Sequence, residues 1–96
     1  MCRPSITQNS KKISSNVYIT CFNVNRLIPH FNVVLSEILE HSYDVVAITE
    51  TFLDKTITDA MIQIQGYEII RIDRERKLGG GVLIYIKSYI KSIVLK

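Results

Sequence analysis

Two short runs of strand-forming residues with a helical stretch between them constrain this chain more than any other feature. The first, NVYITCFN at 16–23, is β-branched and aromatic, a composition that fits a pleated, half-buried surface. The second, YDVVAITE at 43–50, is a continuous apolar run closed by polar residues. It is too short for a helix and predicts a strand buried on both faces. Between them, PHFNVVLSEILEHS places Phe31, Val34, Leu35, Ile38 and Leu39 at helical spacing, and Pro29 suits a first helical turn. Strand, helix and strand within about 35 residues form a βαβ unit with parallel strands and a right-handed crossover. Parallel strands finish on the same edge, so neighbouring strands about 4.8 Å apart would bring Asn23 and Glu50 together. Ligands of open α/β sheets bind along that edge.

The second half has another pattern. TFLDKTITDAMIQIQ is a mixed polar connection with one helical turn expected near 58–62. GYEIIRID and GGGVLIYIKS are strand-like runs joined by RERKLG, which predicts an antiparallel hairpin with a flexible or bulged, glycine-rich entry to its second strand. The final KSIVLK is strand-like again. A chain that stops on an apolar strand reads as the truncated opening portion of a larger domain. Residues 1–15 are polar, rich in Ser, Lys and Asn, and are expected to be a disordered leader, with the domain portion covering 16–96.

With 96 residues, 47% of them hydrophobic and 22% charged, the chain has enough material for one small core and is too apolar for intrinsic disorder. No apolar run approaches the roughly 18 residues that cross a bilayer, and no secretory h-region is visible, so neither a membrane role nor secretion is expected. Two cysteines give no disulfide framework and no metal-ligand spacing. Cys21 alternates with Val17 and Ile19 and reads as core, which fits a reducing, intracellular setting, nuclear or cytoplasmic. The net charge of +3 hides an acidic middle: residues 13–70 hold seven acids against Arg26 and Lys55, while both ends are basic. Such a distribution suits a polyanion approached through a metal, although solvated surface charge accounts for much of it.

Glu50 ends the apolar VVAI run, at a core margin where an uncompensated charge is expensive and a cation would offset the cost. Magnesium takes oxygen ligands, commonly one or two carboxylates with waters and substrate phosphate, so Glu50 with a nearby Asn amide is a plausible partial site. A solvated Glu capping a loop is the plainer alternative. Asn23 and Asn25 project to one side of an extended chain. They could hold Glu50, donate to phosphate, or only form turns at the strand exit, and the turn is the plainer reading. In RIDRERK, Arg71, Arg74, Arg76 and Lys77 face Asp73 and Glu75 in sequence. Arginines at a hairpin tip can grip phosphate, but mixed charge there commonly marks a solvated turn. His30 and His41 flank the helix and read as surface residues.

ITCFNVNRL, YDVVAITETFLD and GYEIIRIDRERKLGGGVLIYIK, in this order, resemble the opening part of the endonuclease domain of LINE-type non-LTR retrotransposons, within the endonuclease/exonuclease/phosphatase superfamily. The resemblance runs from about Val17 to Lys87. It implies a partial four-layer α/β sandwich in which a β-α-β unit is followed by a β-hairpin. It also implies magnesium-dependent nicking of DNA by phosphodiester hydrolysis, and a reverse transcriptase domain in the parent polyprotein. On this resemblance Glu50 is the main early metal ligand, and Asn23 helps hold the metal or the scissile phosphate. Asn25 matches a position near the same site, and Arg74 is a possible phosphate or DNA contact. The family's later catalytic blocks have no counterpart here, so the isolated chain is expected to be inactive, and marginally stable or prone to aggregate. Two other readings stay open: another phosphoesterase or DNA-repair nuclease of the superfamily, and a small non-enzymatic α/β domain in which these side chains merely end strands.

Overall fold

The computed structural model describes residues 7–14, 17–73 and 80–90. They form an α+β fold: a mixed five-stranded sheet in the order β1-β2-β3-β5-β4, packed against an 11-residue helix. The strands are β1 (Thr7–Ser14), β2 (Val17–Asn23), β3 (Val45–Thr49), β4 (Tyr67–Ile72) and β5 (Val82–Lys87), and the helix α1 spans Phe31–His41. The expected β-α-β unit is present. β2 and β3 are adjacent and parallel, in register from Ile19 opposite Val45 to Asn23 opposite Thr49. The hairpin follows, with β4 antiparallel to β5 from Tyr67 opposite Lys87 to Ile72 opposite Val82. β5 in turn pairs antiparallel with β3, which places the hairpin against the βαβ unit in one sheet.

One face of the sheet is covered. Phe22, Val46, Ile48, Leu83 and Tyr85 on the strands form a single cluster with Val34 and Ile38 of α1 and with Leu53, Ile62 and Ile64 of the connection that follows β3. The helix keeps its apolar stripe inward through Phe31, Val34, Leu35 and Ile38. Leu39 lies beyond it at 60% exposed, because one residue past Ile38 turns the side chain by about 100°. The helix stops where Ser42 adopts the left-handed conformation, φ 51, and its N–H bonds the Ile38 carbonyl at 2.9 Å, one of the usual solutions for satisfying the last carbonyls.

The 51–66 connection holds little regular structure besides a short turn at Asp59–Ile62, and side chains anchor it. The Tyr85 hydroxyl donates to the Ile62 carbonyl, and the Gln63 amide donates to the carbonyls of Ile64 and Tyr67. Arg71 does the most. Its Nε donates to Asp73, Nη1 to the Ile57 carbonyl and Asp59, and Nη2 to the Asp54 carbonyl and Asp73. Those five bonds match the full donor complement of a guanidinium.

Three expectations change. Residues 7–14, expected within a disordered leader, are strand β1, paired antiparallel with β2. The segment has no apolar alternation to reveal it. Polar Gln8 and Ser10 meet the sheet there, and the Gln8 amide reaches the Thr20 and Tyr43 hydroxyls at 2.8 and 2.6 Å. Cys21, expected in the core, is exposed, since Thr20 and Phe22 take the covered face and the period of two sends Cys21 to the other. β3 is buried on one face, through Val46 and Ile48, and half-buried on the other. Alternation along a mixed sheet with one covered face produces this pattern where an all-parallel sheet would bury both. Residues 1–6, including Cys2, the RERKLG connection at 74–79 with Arg74, Arg76 and Lys77, and the strand-like 91–96 lie outside the described residues.

Candidate functional site

The edge where β2 and β3 end gathers the expected residues. The last rung across the sheet is Asn23, Thr49, Val82 and Ile72, each paired with the next. It follows the buried rung of Phe22, Ile48 and Leu83, so by alternation its side chains lie on the uncovered face. Beyond the rung, Thr49, Glu50, Ile72, Gly80, Gly81 and Val82 surround a depression of about 250 Å3. Asn23 is exposed and Glu50 half-buried. Asn23 ends β2 and Glu50 directly follows the end of β3, one step of register apart, at one rim of the sheet. Among the described residues no hydrogen bond joins their side chains and no ion pair engages Glu50.

The ladder does not stop with the strands. Val24 N–H donates to the Thr49 carbonyl at 3.2 Å, Arg26 to Glu50 at 2.8 Å and Leu27 to Thr51 at 2.9 Å. On the other side, Thr51 N–H reaches the Gly81 carbonyl at 3.4 Å and Phe52 N–H the Gly80 carbonyl at 3.0 Å. Three chain segments, 23–27, 49–53 and 80–82, are thus tied to one another at the rim.

They are tied at a cost. Asn25, Arg26, Glu50 and Phe52 all have positive φ, at 47, 86, 58 and 55°, and Gly80 and Gly81 sit at 95 and 89°. Each non-glycine residue in this region loses about 1–2 kcal/mol, least for Asn. Asn23 and Asn25 are both exposed with Val24 buried between them, but the chain leaves the expected extended conformation at Asn25, a residue that tolerates the left-handed one. Glu50 does not continue the strand either. Its left-handed backbone explains how it opens onto the same depression as Thr49 when strict alternation would turn it to the covered face. Strain of this kind persists only where surrounding contacts over-determine it, and it concentrates at functional sites.

Gly81 shows how close the segments are. A Cβ built there would lie 2.7 Å from the Thr51 Oγ1, and Thr51 is 1% exposed. Arg26 and Phe52 make the other cross-link, with the guanidinium carbon 4.3 Å from the ring centroid. His30 turns its Nδ1 to the Arg26 carbonyl at 2.9 Å, which ties the loop to the residue just before α1.

Of the other candidates, Arg74 lies outside the described residues, and Arg71 is saturated by its own loop contacts. A second depression, about 340 Å3, is lined by Ile38, Leu39, Tyr67, Lys87 and Tyr89 among others. It is the larger of the two but opens at the opposite edge of the sheet, away from the strand ends that carry Asn23 and Glu50. Glu37, Glu40 and His41 on α1 put ligand atoms within 4.8 Å of one another. These are exposed or half-exposed groups one helical turn apart, and the 3.1 Å contact between His41 and Glu37 is an ordinary i,i+4 pair. The spacing EILEH shows this cluster in the sequence. Nothing in the sequence shows the Arg26–Phe52 stack or the Gly81–Thr51 contact, because both depend on two loops meeting across a sheet edge.

No known protein family, no curated protein and no solved structure matches this chain.

Proposed function

We propose that the chain carries the metal-binding half of a magnesium-dependent phosphodiester hydrolase that acts on DNA, an endonuclease of the non-LTR retrotransposon kind. In this reading it works inside the cell, with a reverse transcriptase domain as its partner in the parent polyprotein. The observation that carries the proposal is the rim itself: an amide at the end of β2 and a carboxylate just past the end of the parallel neighbour β3, with the carboxylate held there by left-handed backbone. The donor set fits a hard cation. Glu50 supplies a carboxylate that no ion pair engages among the described residues, Asn23 supplies an amide oxygen, and the open depression beside Glu50 leaves room for water and phosphate oxygens to complete the ligand shell. A bound magnesium would supply charge neutralisation at the scissile phosphate and acidify a ligated water. Glu50 would hold the cation and Asn23 would fix the cation or the phosphate beside it, while the tied loops would keep both side chains in place without reorganisation.

Magnesium titration of the 96-residue chain, followed by amide NMR, tests this reading. Shifts centred on 23–27 and 49–52 that vanish in Glu50→Gln support it. A titration that leaves those residues unmoved refutes the metal site and favours a non-enzymatic domain in which Glu50 merely ends a strand.

A further inference from the structure

Arg26 stands where the backbone has little reason to place an arginine. Its φ of 86° belongs to a region that glycine occupies freely and a long side chain does not. The two rim positions with nearly the same φ, 80 and 81, are glycines. The side chain is exposed, yet it is not adrift, because it lies over the Phe52 ring. Phe52 is itself fixed to the β5 entry through Gly80.

The contrast with Arg71 is informative. Arg71 spends every donor on its own chain. Among the described residues, the Arg26 guanidinium makes no hydrogen bond and no ion pair, not even with Glu50, whose carbonyl accepts the Arg26 N–H. It is a planar fork of donors held over an aromatic ring and left unsaturated among the described residues, on a loop whose backbone is bonded to that of Glu50. Stacking holds the face of a guanidinium and leaves its N–H groups directed outward in the plane, which suits two oxygens of one phosphate. A residue that breaks a local backbone rule without an evident gain in packing is expected at a functional position.

The geometry points to Arg26 as a phosphate-gripping residue, with its fork donating to a phosphodiester of DNA laid across the rim and its orientation set by Phe52. This inference rests on the DNA-acting function proposed above and adds the residue that positions the backbone next to Asn23 and Glu50. Arg26 is thus a positioning residue that binds substrate, with no part in proton transfer.

The test uses the whole chain and a short labelled DNA duplex, with binding followed by fluorescence anisotropy over a range of salt concentrations and with EDTA present. Arg26→Gly relieves the backbone, so its urea midpoint should equal or exceed that of the parent chain. Its DNA affinity should nevertheless fall about tenfold, as for a lost hydrogen bond to a charged group. The slope of log affinity against log salt should shrink by about 0.9, as for one phosphate contact. Arg26→Lys should keep the slope and lose part of the affinity. Phe52→Leu should weaken binding with the slope retained. Inorganic phosphate in place of DNA should compete only weakly, since a free ion gains nothing from the rest of the rim.

Unchanged affinity and slope in Arg26→Gly overturn the inference, and so does a loss of affinity matched by a loss of stability, which would make Arg26 structural. Because EDTA removes the metal, the two proposals fail separately. A Glu50→Gln variant that abolishes the magnesium response beside a silent Arg26→Gly sinks this inference alone. A silent Glu50→Gln beside a weakened Arg26→Gly sinks the metal site alone.

Discussion

Placing a methyl group on Gly81 should damage the fold far more than placing one on Gly66, although the two glycines have nearly the same backbone. Their φ values are 89 and 90°, so alanine at either position pays the left-handed penalty of about 1–2 kcal/mol. At Gly66 a new Cβ meets nothing within 4 Å, whereas at Gly81 it meets the Thr51 Oγ1 at 2.7 Å. Thr51 is buried beside Leu53, whose N–H it accepts at 3.5 Å, so its side chain has nowhere to go. Overpacking of this kind costs about a further 1–3 kcal/mol. Gly66→Ala should therefore lose about 1–2 kcal/mol, and Gly81→Ala about 2–5 kcal/mol.

Urea denaturation followed by far-UV circular dichroism measures the difference. With a slope of about 1 kcal/mol per molar, the Gly81→Ala midpoint should lie about 1–3 M below that of Gly66→Ala. A Gly81→Ala chain with no transition at all, next to a Gly66→Ala chain that keeps one, is the extreme form of the same result. Thr51→Ala removes the obstructing oxygen, so the double variant should recover most of the extra loss, with a coupling of about 1–3 kcal/mol. Equal midpoints for the two single variants, or no coupling with Thr51, would show that the three rim segments are not packed as described.

Two other perturbations probe the supports of the site. Arg71→Lys keeps the charge but loses the fork that ties β4 to the 54–59 stretch, so stability should drop by about 2 kcal/mol and tryptic cleavage after the exposed Lys55 should accelerate; unchanged cleavage would refute the anchoring role. Burial, with the Asp44 charge adding to it, pushes the Tyr67 phenol up to about 12 from its ordinary 10.0, and its hydroxyl donates to the Tyr43 carbonyl. A raised folded-state value means that the neutral form stabilises the fold, an effect present in full below pH 10 and lost as pH rises towards 12. The loss amounts to about 2–3 kcal/mol. Tyr67→Phe should flatten that decline, and an identical pH dependence in both chains would contradict it.

The βαβ unit and the hairpin were legible because their signals are local: β-branched runs, a helical stripe, and glycine and polar breaks. β1 was not, since what makes Thr7–Ser14 a strand is the neighbouring β2 and a polar cluster with Thr20 and Tyr43. The face assignment of Cys21 failed for a related reason. Val17, Ile19 and Cys21 are as apolar as Tyr18, Thr20 and Phe22, and only the position of α1 and of the 51–66 connection decides which set is covered. For the site, the sequence located Asn23 and Glu50 at strand ends and hence on one edge. It could not show that Asn25 and Glu50 turn left-handed, because neither is glycine, nor that Arg26 would stack on a residue 26 positions away.

The central claim is that Glu50 and Asn23 together hold a divalent cation, and manganese, as a paramagnetic substitute for magnesium, tests it most directly. Added in small amounts to the labelled chain, it should broaden the amide signals around 23–26 and 49–51 first, and should cease to do so in Glu50→Gln. Broadening confined to Glu37, Glu40 and His41 on α1, with the rim untouched, would contradict the claim.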